Sequence, residues 1–110
     1  MKTFGETIRE AREAKGLLLR EVAAALKVDP SFLSRVESGT KRATREQVVD
    51  LAKALQENAE KLLVLYLSER VIYELQNEDL AIEAIMAAEK RIRYKATKTP
   101  KKKRRGGANH

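Results

Sequence analysis

The most restrictive feature of the sequence is a pair of short predicted helices separated by only three residues. The apolar positions of the first helix are Leu19, Val22, Ala23 and Leu26. Their i, i+3, i+4, i+7 spacing is that of one buried helical face. Asp29 fits an N-cap and Pro30 the first position of the next helix, whose N–H needs no partner there. The sequence therefore predicts two helices that pack across a tight turn beginning after Leu26.

Capping signals predict further helices on both sides of this pair. Two capping boxes are present, Thr3 with Glu6 and Thr44 with Gln47. Gly16 and Gly39 stand where helices would end, because glycine accepts the left-handed conformation without strain. Asn58 is a further candidate cap. We expect five helices by Tyr66 and an all-α fold.

The back half is more apolar than a single chain of this length requires. Residues 62–67 read LLVLYL, which predicts a helix buried from two directions. Residues 71–75 suggest a short helix, and a longer one is expected from about Glu78 to Tyr94 with two apolar stripes. We expect a second copy of the chain to cover them. The predicted dimerisation residues are Leu62, Leu65, Tyr66, Ile82, Ile85 and Met86. Residues 62–92, of the same chain or of a partner, are expected to cover Leu18, the middle one of three successive leucines.

The net charge of +7 resides entirely in the last sixteen residues. Residues 1–94 hold 16 bases and all 16 acids, whereas residues 95–110 hold seven bases and no acid. The tail has no large apolar residue, so we expect it to be disordered. The expected domains are thus a folded domain over 1–55, a helical dimerisation extension over 56–94 and a basic tail over 95–110.

Composition also excludes several functional classes. The chain has no Cys and one His, so thiolate metal sites, disulfide scaffolds and thiol enzymes are excluded. It has no phosphate-binding glycine loop and no nucleophile elbow. We therefore expect no catalytic residues, no metal and no cofactor. No apolar run reaches the roughly 18 residues of a membrane span, and a reducing bacterial cytoplasm is the expected location.

The outward face of the third predicted helix is polar and free of acids. It carries Ser31, Ser34, Arg35 and Ser38, again at i, i+3, i+4, i+7. The three-residue connection before it is that of a helix-turn-helix motif, which offers its second helix to the major groove of DNA. Serine hydroxyls and an arginine fork can read base edges. The residues placed to contact the DNA backbone are Thr40, Lys41, Arg42 and Arg45. Phe32 is a secondary DNA candidate, although an aromatic beside Leu33 more often belongs to the core.

The stretch from Ile8 to Leu55 resembles the five-helix DNA-binding domain of the phage lambda repressor and Cro group, the XRE-type regulators. The matching points are Arg12, Gly16-Leu17, Val22-Ala23, Leu33 to Val36 and Glu37-Ser38-Gly39. The resemblance implies an ion pair between Arg12 and Glu37 that ties the first helix to the third. The chain departs from the family pattern at Leu18 and Leu19, where a cap and a phosphate-contacting Gln are usual, at Lys27, where Gly is frequent, and at Ala43, where Pro is.

Together these features predict a sequence-specific regulator of transcription that binds double-stranded DNA as a homodimer. The operator would be a near-palindrome with half-sites about 34 Å apart. Repression is expected, with the protein on the nucleoid when bound. A neighbouring operon, such as that of a restriction-modification system, is a candidate target. The back half is too short for a ligand-binding domain, so no small-molecule effector is expected. The alternative is an antitoxin-like module that binds a partner protein through residues 56–94 and autoregulates its operon.

Overall fold

Six helices account for most of residues 2–98, the part of the chain that the computed structural model describes. Their bounds are α1 Phe4–Ala14, α2 Leu19–Leu26, α3 Pro30–Ser38, α4 Arg45–Leu55, α5 Ala59–Leu75 and α6 Ala81–Lys98. No strand occurs among these described residues. The predicted all-α class is confirmed, and so is the three-residue connection between α2 and α3.

The predicted capping boxes start α1 and α4. In α1 the Thr3 hydroxyl accepts from the Glu6 amide at 3.0 Å, and the Glu6 carboxylate accepts from the Thr3 amide at 3.0 Å. Thr44 and Gln47 repeat this exchange at 3.1 and 2.9 Å. Each box satisfies two N–H groups that the first helical turn leaves unpaired. Asn58 also caps as predicted, since its side chain accepts from the Lys61 amide at 2.9 Å.

α2 and α3 each end at a residue with a left-handed backbone conformation. Gly39 has φ of 87° after α3, as its sequence position predicts. Lys27 has φ of 60° after α2, so the turn keeps the left-handed geometry that a glycine would adopt without strain. The Lys27 departure from the family pattern is therefore accommodated by strain in the backbone and not by a different turn.

The core is formed by one face of each of α1 to α5. Its most deeply buried large side chains are Ile8, Leu33, Val48, Leu51 and Leu55. α5 joins this core through Leu62 and Tyr66, and the Tyr66 ring meets Phe4 edge-on with centroids 5.7 Å apart. The α1 N-terminus is tied to α5 as well, because the Phe4 amide donates to the Glu69 carboxylate at 2.6 Å.

α5 differs from two expectations, the separate short helix over residues 71–75 and the dimerisation role of Leu62 and Tyr66. It runs without a break to Leu75, where a separate short helix was predicted. Residues 62–67 are buried from one side in the single chain, with Val64 67% exposed on the other. Leu62 and Tyr66, predicted as dimerisation residues, are enclosed by the core of their own chain instead, while Leu65 is half-buried. Because residues 62–67 are apolar on all sides, their sequence did not indicate which side faces the core.

The chain divides into two units, of which the first ends at Glu74 and the second begins at Leu75. The second contains α6, and none of its described side chains over residues 81–97 is buried. Ile82, Ile85 and Met86 are all exposed. α6 starts three residues later than predicted and includes residues 95–98 of the expected tail. The rest of the predicted disordered tail, residues 99–110, lies outside the described residues.

Leu18 is 45% exposed, so it is not fully solvated in the single chain, and its further cover by residues 62–92 of a partner stays a prediction. Within residues 2–98, no helix combines the length and the apolar character needed to cross a membrane.

Candidate nucleic-acid interface

α3 is held by apolar packing on one side, which leaves its other side open. Leu33 and Val36 are buried against the core. α1 approaches the C-terminal end of α3 so closely that a Cβ on Gly5 would lie 2.3 Å from the Glu37 carbonyl oxygen. A glycine is needed at this crossing because any side chain would collide with backbone atoms. The orientation of α3 on α1 is therefore set by direct backbone contact.

The expected ion pair between Arg12 and Glu37 forms beside this crossing. The Arg12 Nε donates to one carboxylate oxygen at 2.8 Å and Nη2 to the other at 3.2 Å. Glu37 is 8% exposed, and the bond to its carboxylate raises the pKa of Arg12. The remaining Arg12 nitrogen donates to the Leu17 carbonyl at 3.0 Å. One guanidinium thus joins α1, α3 and the segment before α2.

The four residues predicted to read bases all lie on the exposed side of α3. The side chains of Ser31, Ser34 and Arg35 make no hydrogen bond or ion pair with any other described residue, so their donors and acceptors are available. Ser38 differs from them. Its hydroxyl donates to the Arg35 carbonyl at 3.1 Å and lies 3.2 Å from the Thr40 hydroxyl. Ser38 therefore supports the end of the helix as well as contributing to its outer surface.

The loop after α3 is fixed by one carbonyl group. The Arg35 oxygen accepts from the Thr40 and Lys41 amides at 2.9 and 3.2 Å, besides the Ser38 hydroxyl and the Thr40 hydroxyl at 3.4 Å. These bonds supply donors to a carbonyl group that would otherwise lack them at the end of a helix. As a result Thr40, predicted to contact the DNA backbone, holds the loop in shape, and Lys41 follows it with its side chain exposed.

α5 supports the middle of the same loop. The buried Tyr66 hydroxyl donates to the Ala43 carbonyl at 2.6 Å. The Arg42 guanidinium carbon lies 5.4 Å from the centre of the Tyr73 ring. Sequence reasoning did not assign these roles to Tyr66 and Tyr73. Because the partners are 23 and 31 residues apart along the chain, no local spacing rule could have related them.

Phe32 is half-buried and packs against the core, which agrees with the more frequent role of an aromatic at this place. Phe32 also lines a shallow open cleft of about 580 Å³, together with Lys27, Val28, Asp29 and Gln47. Its role as a secondary DNA contact stays a prediction.

The charge of this surface has one sign. Residues 30–45 contain four basic residues and a single acid, Glu37. Glu37 is buried and paired with Arg12, whereas Arg35, Lys41, Arg42 and Arg45 are exposed. An anion approaching α3 and its following loop therefore meets positive charge and hydroxyl groups without an exposed carboxylate from this segment.

The chain is similar in sequence to one protein family and in structure to two solved chains. The sequence model of a family described as a helix-turn-helix domain matches residues 3–63. A crystal structure of the clp gene regulator ClgR from Corynebacterium glutamicum is 32% identical, with a TM-score of 0.52, over 60% of this chain and 86% of that chain. A second crystal structure of ClgR is 28% identical, with a TM-score of 0.53, over 89% and 92% of the two chains. No curated protein matches the chain.

Proposed function

The chain belongs to the helix-turn-helix domain family, and from this premise we propose that it regulates transcription by binding specific sequences of double-stranded DNA. The observation that carries the proposal is the outer surface of α3 and its following loop. This surface offers unpaired hydroxyl and guanidinium groups, and the one carboxylate in the segment is buried. The similarity of the chain to ClgR, a clp gene regulator, supports the same assignment.

In this proposal α3 enters the major groove and its exposed side chains read base edges. Arg35 can donate two parallel hydrogen bonds to the O6 and N7 atoms of guanine. Ser31 and Ser34 are short enough to let the helix approach the bases closely, and their hydroxyls can donate or accept. Ser38, at the far end of the helix, would contribute an acceptor, since its proton already serves the Arg35 carbonyl.

Residues of the loop and of the start of α4 would contact phosphates. Lys41, Arg42 and Arg45 supply the positive charge. Thr40 would supply a hydroxyl by turning its proton from the Arg35 carbonyl, 3.4 Å away, to a phosphate oxygen. Such contacts fix the register of a protein on DNA without reading its sequence. They would also make binding depend strongly on salt, because each neutralised phosphate releases a bound counterion.

We propose further that the protein acts as a homodimer through α6 and the outer side of α5. Ile82, Ile85 and Met86 form an exposed apolar surface on α6. Pairing two copies about a twofold axis would hide this surface and place two α3 helices on successive turns of DNA, about 34 Å apart. The operator would then be a near-palindrome, and occupying it in the bacterial nucleoid would repress transcription.

The base-reading role of Arg35 is tested by selecting binding sites from random duplexes and then measuring Arg35→Ala on the selected and on random DNA. We expect a loss of about 1 to 3 kcal/mol on the selected site, with relaxed preference at one base position per half-site. Arg9→Ala is the matched control, since Arg9 is exposed on α1 and already paired with Glu13. An equal loss on both DNAs would refute base reading by Arg35.

The dimer is tested by sedimentation of a variant with Ile82→Gln and Ile85→Gln. We expect this variant to sediment as a monomer that is still folded, because no described α6 side chain is buried in the protomer. The control is Glu83→Gln with Lys90→Gln, which introduces the same residue type beside the apolar surface of α6. A wild-type chain that stays monomeric until a co-expressed protein binds it would favour the antitoxin-like alternative.

A further inference from the structure

The loop between α3 and α4 carries cations on a backbone that is fixed at both ends. The Arg35 carbonyl holds its beginning through Thr40 and Lys41, and the Thr44 capping box holds its end. Ala43, in between, is buried, and its carbonyl accepts from Tyr66. The backbone of the loop therefore has little freedom, and the remaining freedom is that of its long side chains.

One of those side chains has a partner on α5. Arg42 lies over the ring of Tyr73, whereas the side chain of Lys41 next to it makes no hydrogen bond, ion pair or ring contact with any described residue. Tyr66 and Tyr73 are seven residues apart, two helical turns, and so lie on the same side of α5. This side of α5 thus supports the loop backbone through Tyr66 and the Arg42 side chain through Tyr73.

The contact leaves the charge of Arg42 uncompensated. A cation over the face of an aromatic ring interacts with it through its charge and not through a hydrogen bond, so the N–H groups of Arg42 stay free for an anion. No carboxylate of the described chain forms an ion pair with Arg42. A ring contact can therefore restrict the rotamers of this side chain without using the donors that would bind a phosphate. Ordering such a side chain before binding reduces the entropy that binding would otherwise lose.

We propose that Tyr73 is a positioning residue for a phosphate contact made by Arg42. This inference rests on the proposed function, because it assigns to α5 a part in the DNA contact of the same surface. Tyr73 is 64% exposed, so its ring adds little to the core and can be changed without disturbing it. The segment that the sequence assigned to dimerisation thus also prepares the DNA-binding surface.

The test compares Tyr73→Leu with Tyr73→Phe on a random-sequence duplex. Leucine removes the ring and should weaken binding about two- to fivefold, the range of an exposed cation–π contact. Phenylalanine keeps the ring and should bind like wild type. In an Arg42→Ala background Tyr73→Leu should have no further effect, whereas in the Lys41→Ala background it should keep its full effect.

The salt dependence separates positioning from direct contact. Arg42→Ala should lower the slope of log K against log salt by about one phosphate contact, whereas Tyr73→Leu should weaken binding with the slope unchanged. Equal binding by wild type and Tyr73→Leu would overturn the inference. Tighter binding by Tyr73→Leu would also overturn it, since the ring would then be withholding Arg42 from DNA.

A measurement without DNA distinguishes this failure from failure of the proposed function. Ring currents should shift the NMR signals of the Arg42 side-chain protons in wild type and in Tyr73→Phe, and this shift should vanish in Tyr73→Leu. Absence of the shift in wild type would refute the contact itself. If the shift is present but wild type binds no duplex, the proposed function and the phosphate contact fail together, and the ring contact alone stands.

Discussion

Replacing Glu37 by glutamine should destabilise the fold more than any single change of an exposed charge. The Glu37 side chain is 7% exposed and receives two N–H groups from Arg12, at 2.8 and 3.2 Å. Breaking a fully buried pair leaves one uncompensated charge and costs about 3 to 5 kcal/mol. Arg12 is 14% exposed, and a glutamine oxygen can still accept one bond, so water and that bond offset part of the loss. We expect a loss of about 2 to 3 kcal/mol.

The assay is equilibrium unfolding in urea, with Arg9→Gln as the matched control. Arg9 and Glu13 form a pair at 3.5 Å in which both side chains are more than half exposed. Exposed pairs contribute about 0 to 1 kcal/mol, so the control should lose little. If Glu37→Gln lost no more stability than Arg9→Gln, the claim that the Arg12 pair is desolvated would be refuted.

Three other substitutions give expected outcomes in the same urea assay. Gly5→Ala should lose about 1 to 3 kcal/mol by overpacking although alanine favours helices, because its Cβ would meet backbone oxygens at 2.3 and 2.7 Å; a gain in stability would contradict that close approach. Lys27→Gly should gain about 0.5 to 1 kcal/mol, because relief at φ of 60° exceeds the added freedom of the unfolded chain; a loss would show that strain there is small. Tyr66→Phe should lose about 1 to 3 kcal/mol, because the buried Ala43 carbonyl loses its donor; an unchanged midpoint would mean that water replaces the hydroxyl.

The features that could be predicted from the sequence depend on residues close together along the chain. A capping box links residues three apart, and Thr3 with Glu6 forms the predicted bonds. The exposed stripe of α3 follows from helical periodicity once Pro30 fixes where the helix starts. Such signals need no knowledge of what packs where, which explains why α1 to α4 and the outer face of α3 could be placed.

The features that could not be predicted depend on packing between distant segments. Residues 62–67 are apolar all round, and such a run does not reveal which of its sides faces the core. The side with Leu62 and Tyr66 faces the core, because it meets Phe4 on α1 and Ala43 in the loop. The contact of Arg42 with Tyr73 likewise depends on where α5 lies, which hydrophobic periodicity does not specify.

The pair of Arg12 and Glu37 also determines the charge that α3 presents. Since the two charges cancel inside the fold, replacing both with methionine leaves the net charge of the chain unchanged and removes no exposed cation from the α3 surface. The double variant should lose less stability than Glu37→Gln, because no buried charge is left without a partner. It should also keep the wild-type salt slope on random DNA, whereas Arg42→Ala lowers it. A reduced slope in the double variant would mean that Arg12 itself contacts phosphate, and the separation of a buried neutral pair from an exposed cationic surface would be wrong.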